Sequence, residues 1–127
     1  MNYARIFADN AGESHFADES MSFELIEFSP HVPPVAAAKP IPTTSATVLS
    51  VPRGGVADWH PVPRKQFNLI LRGEVEVEVS DGEARRFRAG DLIFGEDVQG
   101  KGHITRVVGD DDVYFVVFAV AAEPESA

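Results

Sequence analysis

In GEVEVEVSDGEARRF, residues 73–87, acids and valines alternate without interruption from Glu74 to Val79. A helix would scatter these valines around its surface, whereas a strand puts Val75, Val77 and Val79 on one face and Glu74, Glu76 and Glu78 on the other. The Asp81-Gly82 pair that follows supplies the tolerance of positive φ that a tight hairpin needs, so EARRF is expected to return antiparallel. The same grammar recurs in ATVLSV, QFNLILRG, DLIF, ITRVVGD and VYFVVFAV, short β-branched or aromatic runs separated by Gly and Asp. Repeated strands of this length predict an all-β sandwich or barrel with almost no helix. A chain of 127 residues fits one such domain.

Before residue 44 the pattern is weaker. SFELIEF alternates like an edge strand, and SPHVPPVAAAKPIPTT carries prolines that remove ladder donors. The expected organisation is an N-terminal arm over 1–43 with one edge strand and a Pro-rich connector, belonging to the same domain as a barrel over 44–122, and an acidic tail over 123–127. An edge strand without a partner is commonly paired or covered, which predicts a homodimer.

The formal net charge of −9 argues against nucleic acid, because phosphate contacts need clustered Lys and Arg on a surface that does not repel the backbone. No apolar run approaches the roughly 20 residues of a membrane helix. The start of the chain lacks the basic and apolar regions of a secretory signal, and with no Cys there are neither disulfides nor thiolate ligands. Cytoplasm is the expected compartment, with no membrane partner. No hydrolase-type nucleophile motif is present.

The segment DWHPVPRKQFNLILRG, residues 58–73, concentrates His60, Arg64, Lys65, Gln66 and Asn68 just ahead of and within an apolar strand. Gly54, His60, Gln66 and Gly73 fall in register with the first motif of the cupins, which this segment resembles. Val62 stands where that motif has a second His, and Gln66 where it has a Glu. A looser likeness to the second motif covers Gly100, Lys101, Gly102 and His103, with Val98 and Val107 at positions usually held by Pro and Asn. Together with Trp-His-Pro, Pro-Arg, Gln and Gly-Lys-Gly-His runs, these features make the chain similar to small single-domain bacterial cupins of the RmlC-like jelly-roll superfamily.

The resemblance implies a double-stranded β-helix with a small-molecule pocket at the barrel mouth. It makes His60, Gln66 and His103 the metal ligands, for a divalent ion such as Zn, Mn, Fe or Ni. Strand alternation independently puts Gln66, Asn68 and Ile70 on one face, and His103, Thr105 and Val107 on another. A neutral amide attracts a dication less than a carboxylate does, so a second reading stays open in which both histidines hydrogen-bond at the pocket wall. A 2-His-1-carboxylate iron oxygenase is disfavoured with Gln66 at the acid position, unless the loop GEDVQGKGH folds inward and brings Asp97. Arg64 offers a fork for an anionic ligand if it turns to the mouth. Trp59 and Phe94 are candidate pocket walls, with core packing as the competing role. Three functions remain at this stage: a small-molecule-binding cupin with metal-assisted isomerase or lyase-type chemistry, a metal-free binding or regulatory module, and a dimeric scaffold.

Overall fold

The computed structural model describes residues 1–122, so the acidic tail lies outside the described residues. Twelve strands follow in chain order: β1 (Asn2–Ala8), β2 (Ser14–Ser20), β3 (Glu24–Ile26), β4 (Val35–Ala37), β5 (Thr43–Val51), β6 (Val56–His60), β7 (Gln66–Arg72), β8 (Glu74–Val79), β9 (Ala84–Arg88), β10 (Leu92–Gly95), β11 (His103–Val108) and β12 (Val113–Val120). No helix occurs among the described residues, as the strand grammar predicts. A six-stranded sheet in the order β2-β1-β10-β7-β12-β5 faces a four-stranded sheet in the order β6-β11-β8-β9, and β3 and β4 form a separate two-stranded ribbon.

The alternating hairpin forms as read. Glu78 pairs with Ala84 and Glu74 with Arg88, while Gly82, at φ +98°, closes the turn by donating to the Val79 carbonyl at 3.0 Å. Val75, Val77 and Val79 are buried. The glutamates lie on the outer face, half-buried, where Arg106 reaches Glu76 and Glu78 at 3.3 and 3.1 Å. Arg106 is thereby committed outside the barrel, since alternation along β11 opposes it to His103 and Thr105. The core packs Ile6, Ile70, Ile93 and Val113 of one sheet against Val75, Val77 and Val107 of the other.

The first twenty residues correct the sequence reading. They are not a loose arm: β1 and β2 pair antiparallel from Asn2↔Ser20 to Ala8↔Ser14, and β1 also pairs in parallel with β10. Ala4 and Ile6 are buried in the core, and Tyr3 packs edge-on against Phe67 on the opposite face. With apolar residues on both faces, NYARIFA shows no clean alternation and so hides as a strand. SFELIEF yields only the three-residue strand β3, whose partner is β4 of the same chain inside the proline-rich connector. The premise of an edge strand seeking another chain therefore does not apply to β3 itself.

Candidate functional site

Between the two sheets lies a cavity of about 220 Å³. Its body is aliphatic, formed by Ile6, Val75, Val77, Ile93, Val107 and Val113, and its polar groups are His60, Gln66, Asn68, His103 and Thr105. Three strands supply those five residues. Gln66 and Asn68 alternate inward from β7, and His103 and Thr105 inward from β11, as period two requires.

His60 arrives differently. In the β6–β11 pairing, His103 opposes His60 and Thr105 opposes Ala57, so two steps on β11 face three on β6. This β-bulge returns His60 to the face already occupied by Ala57. Without it, the residue two beyond Ala57 would point inward, and that residue is Trp59. The bulge turns Trp59 out instead, leaving it exposed and away from the cavity lining. Trp59 is therefore not a pocket wall. Nor is Phe94: on β10 it is Ile93 and Gly95 that face the cavity, and Phe94 stacks on Phe67 at 4.4 Å between ring centroids on the outer face.

Both imidazoles are held through the same ring atom. His60 Nδ1 lies 2.5 Å from the Asp58 carbonyl oxygen, and His103 Nδ1 lies 2.6 Å from Asp97 Oδ2. A carbonyl and a carboxylate can only accept, so each Nδ1 carries a hydrogen and donates it, and in the neutral form of each ring the lone pair is on Nε2. The rings are 5.8 Å apart between centroids. The result is two oriented Nε2 acceptors beside one another on the polar side of an aliphatic chamber.

The loop carrying Asp97 folds inward, but behind His103 and not into the cavity. Asp97 is wholly buried, its carbonyl accepts the Val62 N–H at 3.0 Å, and its second carboxylate oxygen, Oδ1, has no hydrogen-bond partner. Asp97 is thus a positioning residue for His103. Three backbone features fix the loop further on. Gly102 adopts φ +71° where a Cβ would sit 2.1 Å from the His60 carbonyl group, so no larger residue fits. The Gly102 carbonyl accepts from Ser14 Oγ at 2.6 Å, and the Lys101 N–H donates to Gly12 at 2.9 Å. Ser14 is completely buried, and nothing in its sequence surroundings announced this role.

Arg64 borders a second, outer chamber of about 330 Å³ with Ser45, Thr47, Leu49 and Gln66. Gln66 and Leu49 line both chambers, so the two are contiguous. Among the described residues Arg64 enters no ion pair.

The donor set decides what ion these residues suit. Two imidazoles with pinned Nδ1 are arranged as metal-ligating histidines commonly are. The third donor is the neutral Gln66 amide, Val62 contributes only methyl groups, and the nearest carboxylate, Asp97, is spent on His103. Among the described residues no group of three His, Cys, Asp or Glu side chains is placed to hold an ion. The set fits a borderline, imidazole-preferring ion bound weakly, and does not supply the facial carboxylate of an iron oxygenase.

Comparison with known proteins agrees with this architecture. The family model of the EutQ-like cupin domain matches residues 42–111. A protein of unknown function from Streptococcus pyogenes is 27% identical over 61% of this chain and 65% of its own, just under two thirds of that length, with a TM-score of 0.47. A Thermotoga maritima protein described as a predicted oxalate decarboxylase is 19% identical, with 80% and 94% of the two chains covered and a TM-score of 0.50. A cupin domain from Bordetella pertussis Tohama I is 15% identical, with 82% and 98% covered and a TM-score of 0.51. At these identities the likenesses to the Thermotoga maritima and Bordetella pertussis proteins concern the fold alone. A search of curated proteins finds no match to the chain. The matched family model, extending over more than half of the chain and across both motif segments, places this protein in the cupins, as a small jelly-roll domain of the EutQ-like family.

Proposed function

We propose that this cupin binds a small organic acid, with the apolar body of the ligand in the inner chamber and its polar end against His60, Gln66 and His103. The observation that carries this reading is the pinning of both imidazoles through Nδ1, which leaves two Nε2 acceptors above an aliphatic floor. A cavity of about 220 Å³ lies below the roughly 300–1,000 Å³ of sites for drug-sized ligands, so the ligand is small. Arg64, without an ion-pair partner among the described residues, supplies the cationic group in the contiguous outer chamber.

A divalent ion belongs to this reading as a weak, exchangeable ligand of His60, His103 and the Gln66 amide oxygen, with Zn, Ni and Fe suiting imidazole better than Mn does. When bound, such an ion supplies Lewis-acid polarisation of a carbonyl or enolate oxygen, the chemistry of isomerases and lyases. The protein's own contributions are separate. Asp97 keeps the proton of His103 on Nδ1 so that Nε2 accepts, and Val62 with the aliphatic floor limits water near the ligand. A metal-free binding module is the second reading, favoured by Val62 and Gln66 standing where the family motif has His and Glu.

Calorimetry with Zn, Mn and a panel of short mono- and dicarboxylates tests both. We expect weak Zn binding by the wild type, strengthened about tenfold in Gln66→Glu because a carboxylate adds charge at the same reach. His103→Ala should abolish metal and acid binding alike. Acid binding that persists in chelator selects the metal-free reading. Wild-type protein that binds neither Zn nor any carboxylate would overturn the proposal.

A further inference from the structure

The two contiguous chambers differ in charge. Among the described residues no Asp, Glu, Lys or Arg side chain lines the inner one, whose polar groups are two imidazoles, two amides and the Thr105 hydroxyl. In the neutral rings both Nε2 atoms only accept, since the Nδ1 hydrogens are spent on the Asp58 carbonyl and on Asp97. Behind His103 the Asp97 carboxylate is wholly buried, and its Oδ1 has no hydrogen-bond partner. A carboxylate brought into the inner chamber would therefore meet two lone pairs and a buried negative charge, with no cation to offset its desolvation. The outer chamber has the opposite character. Arg64 lines it, and the Ser45 and Thr47 hydroxyls stand at alternate positions of β5 beside it. Gln66 borders both spaces.

We propose that the site selects hydroxy acids, bound with the carboxylate outward on Arg64, Ser45 and Thr47 and the hydroxyl inward on His60 and His103. The assignment rests on the organic-acid reading above and fixes which end of the ligand enters first. A hydroxyl donates to one Nε2, and a vicinal pair of hydroxyls serves both. Asn68 and Thr105, the next inward-facing positions on β7 and β11, carry donors for the hydroxyl oxygen. A plain acid offers the two Nε2 atoms nothing, and a dicarboxylate offers them a second anion. An ammonium group is no substitute, because no carboxylate lines the chamber to pair with it. Selection thus follows from one neutral donor at one end and one anion at the other.

Calorimetry with matched ligands is the test, on protein stripped of metal by a chelating resin and again after Zn is added. The probes are 4-hydroxybutyrate, 5-hydroxypentanoate and 6-hydroxyhexanoate, each beside the plain acid, the dicarboxylate and the ω-amino acid of the same length. At the best length the hydroxy acid should bind the metal-free wild type about fivefold more tightly than each counterpart, the margin of one hydrogen bond. This comparison needs no variant. His60→Ala should cut the margin, and Arg64→Gln should weaken every acid about tenfold through loss of the charged partner; both side chains are exposed, so the fold should survive. A hydroxy acid no tighter than one of its counterparts, a margin undiminished in His60→Ala, or affinities indifferent to Arg64→Gln would overturn the assignment and leave the organic-acid reading standing. Acids that bind only after Zn is added would do the same, because their carboxylate then sits on the ion. Protein that binds no acid with or without Zn would overturn both.

Discussion

Two antiparallel ribbons occupy the first third of the chain, and they differ in what holds them. The β1–β2 hairpin is joined to the barrel by β10 and by its turn. His15 sits between Asp9 and Asp81 at 2.7 and 2.8 Å, Ser80 Oγ donates to Glu13, and Lys101 pairs with Glu13. The β3–β4 ribbon has no buried side chain at all. The first ribbon therefore contributes to the monomer's stability and supports the loop before His103, whereas the second buries no side chain against the barrel. Position next to the amino terminus predicts neither fate; burial does.

That contrast can be broken most severely at Ile6, which is 2% exposed in the core. Ile6→Ala should cost about 2–5 kcal/mol in urea unfolding, as deletions of buried aliphatic atoms do. A loss under 1 kcal/mol would mean that β1 is not part of the cooperative barrel. Ser14→Ala comes next. It removes the donor to the Gly102 carbonyl and the acceptor of the Ser80 N–H, leaving buried polar groups unpaired at about 1–3 kcal/mol. Amide exchange in residues 100–103 should accelerate with it.

The His15 cluster gives a pH signature of smaller size. Hydrogen bonds that the His15 ring donates to Asp9 and Asp81 raise it above its ordinary 6.5. Stability from this group is complete below 6.5 and is lost as pH rises through the elevated folded value. The carboxylates behave oppositely: His15 lowers Asp9, and the Glu83 N–H and then His15 lower Asp81, so their contribution is complete above the ordinary 3.8 and is lost as pH falls through the lowered values. The melting temperature of the wild type should thus decline above about pH 6.5, and His15→Gln should flatten that limb. A variant with an unchanged profile would remove the cluster from the account. The smallest effect belongs to the other ribbon. Phe28→Ala should alter monomer unfolding in dilute protein by no more than about 0.5 kcal/mol, and a loss comparable to that of Ile6→Ala would erase the distinction between the two ribbons.

Much of the barrel was legible because β8 alternates strictly between acids and valines and the other barrel strands are short β-branched or aromatic runs set off by Gly and Asp. β1 was not, since Ala4 and Ile6 face the core while Tyr3 and Phe7 cover the opposite face. At the site, alternation sufficed for Gln66, Asn68, His103 and Thr105. His60 was reached through motif spacing, and strict alternation would have chosen Trp59, because a bulge depends on the partner strand and leaves no local mark. Phe94 and Ile93 are adjacent apolar residues, so nothing local says which faces inward. Asp97 was visible only as a loop carboxylate. Its burial against His103 follows from contacts with Val62 and from the neighbouring loop's contacts with Gly12 and Ser14, all distant in sequence.

The central claim is that His60 and His103 present unprotonated Nε2 atoms to the cavity. Long-range nitrogen-proton correlation spectra of the histidine rings near neutral pH measure this directly, with His60→Ala and His103→Ala providing the assignments. The account predicts that both rings carry their hydrogen on Nδ1, and that added Zn shifts both Nε2 resonances in the wild type. Rings protonated on Nε2, or Nε2 resonances indifferent to Zn and to every carboxylate tried, would contradict it.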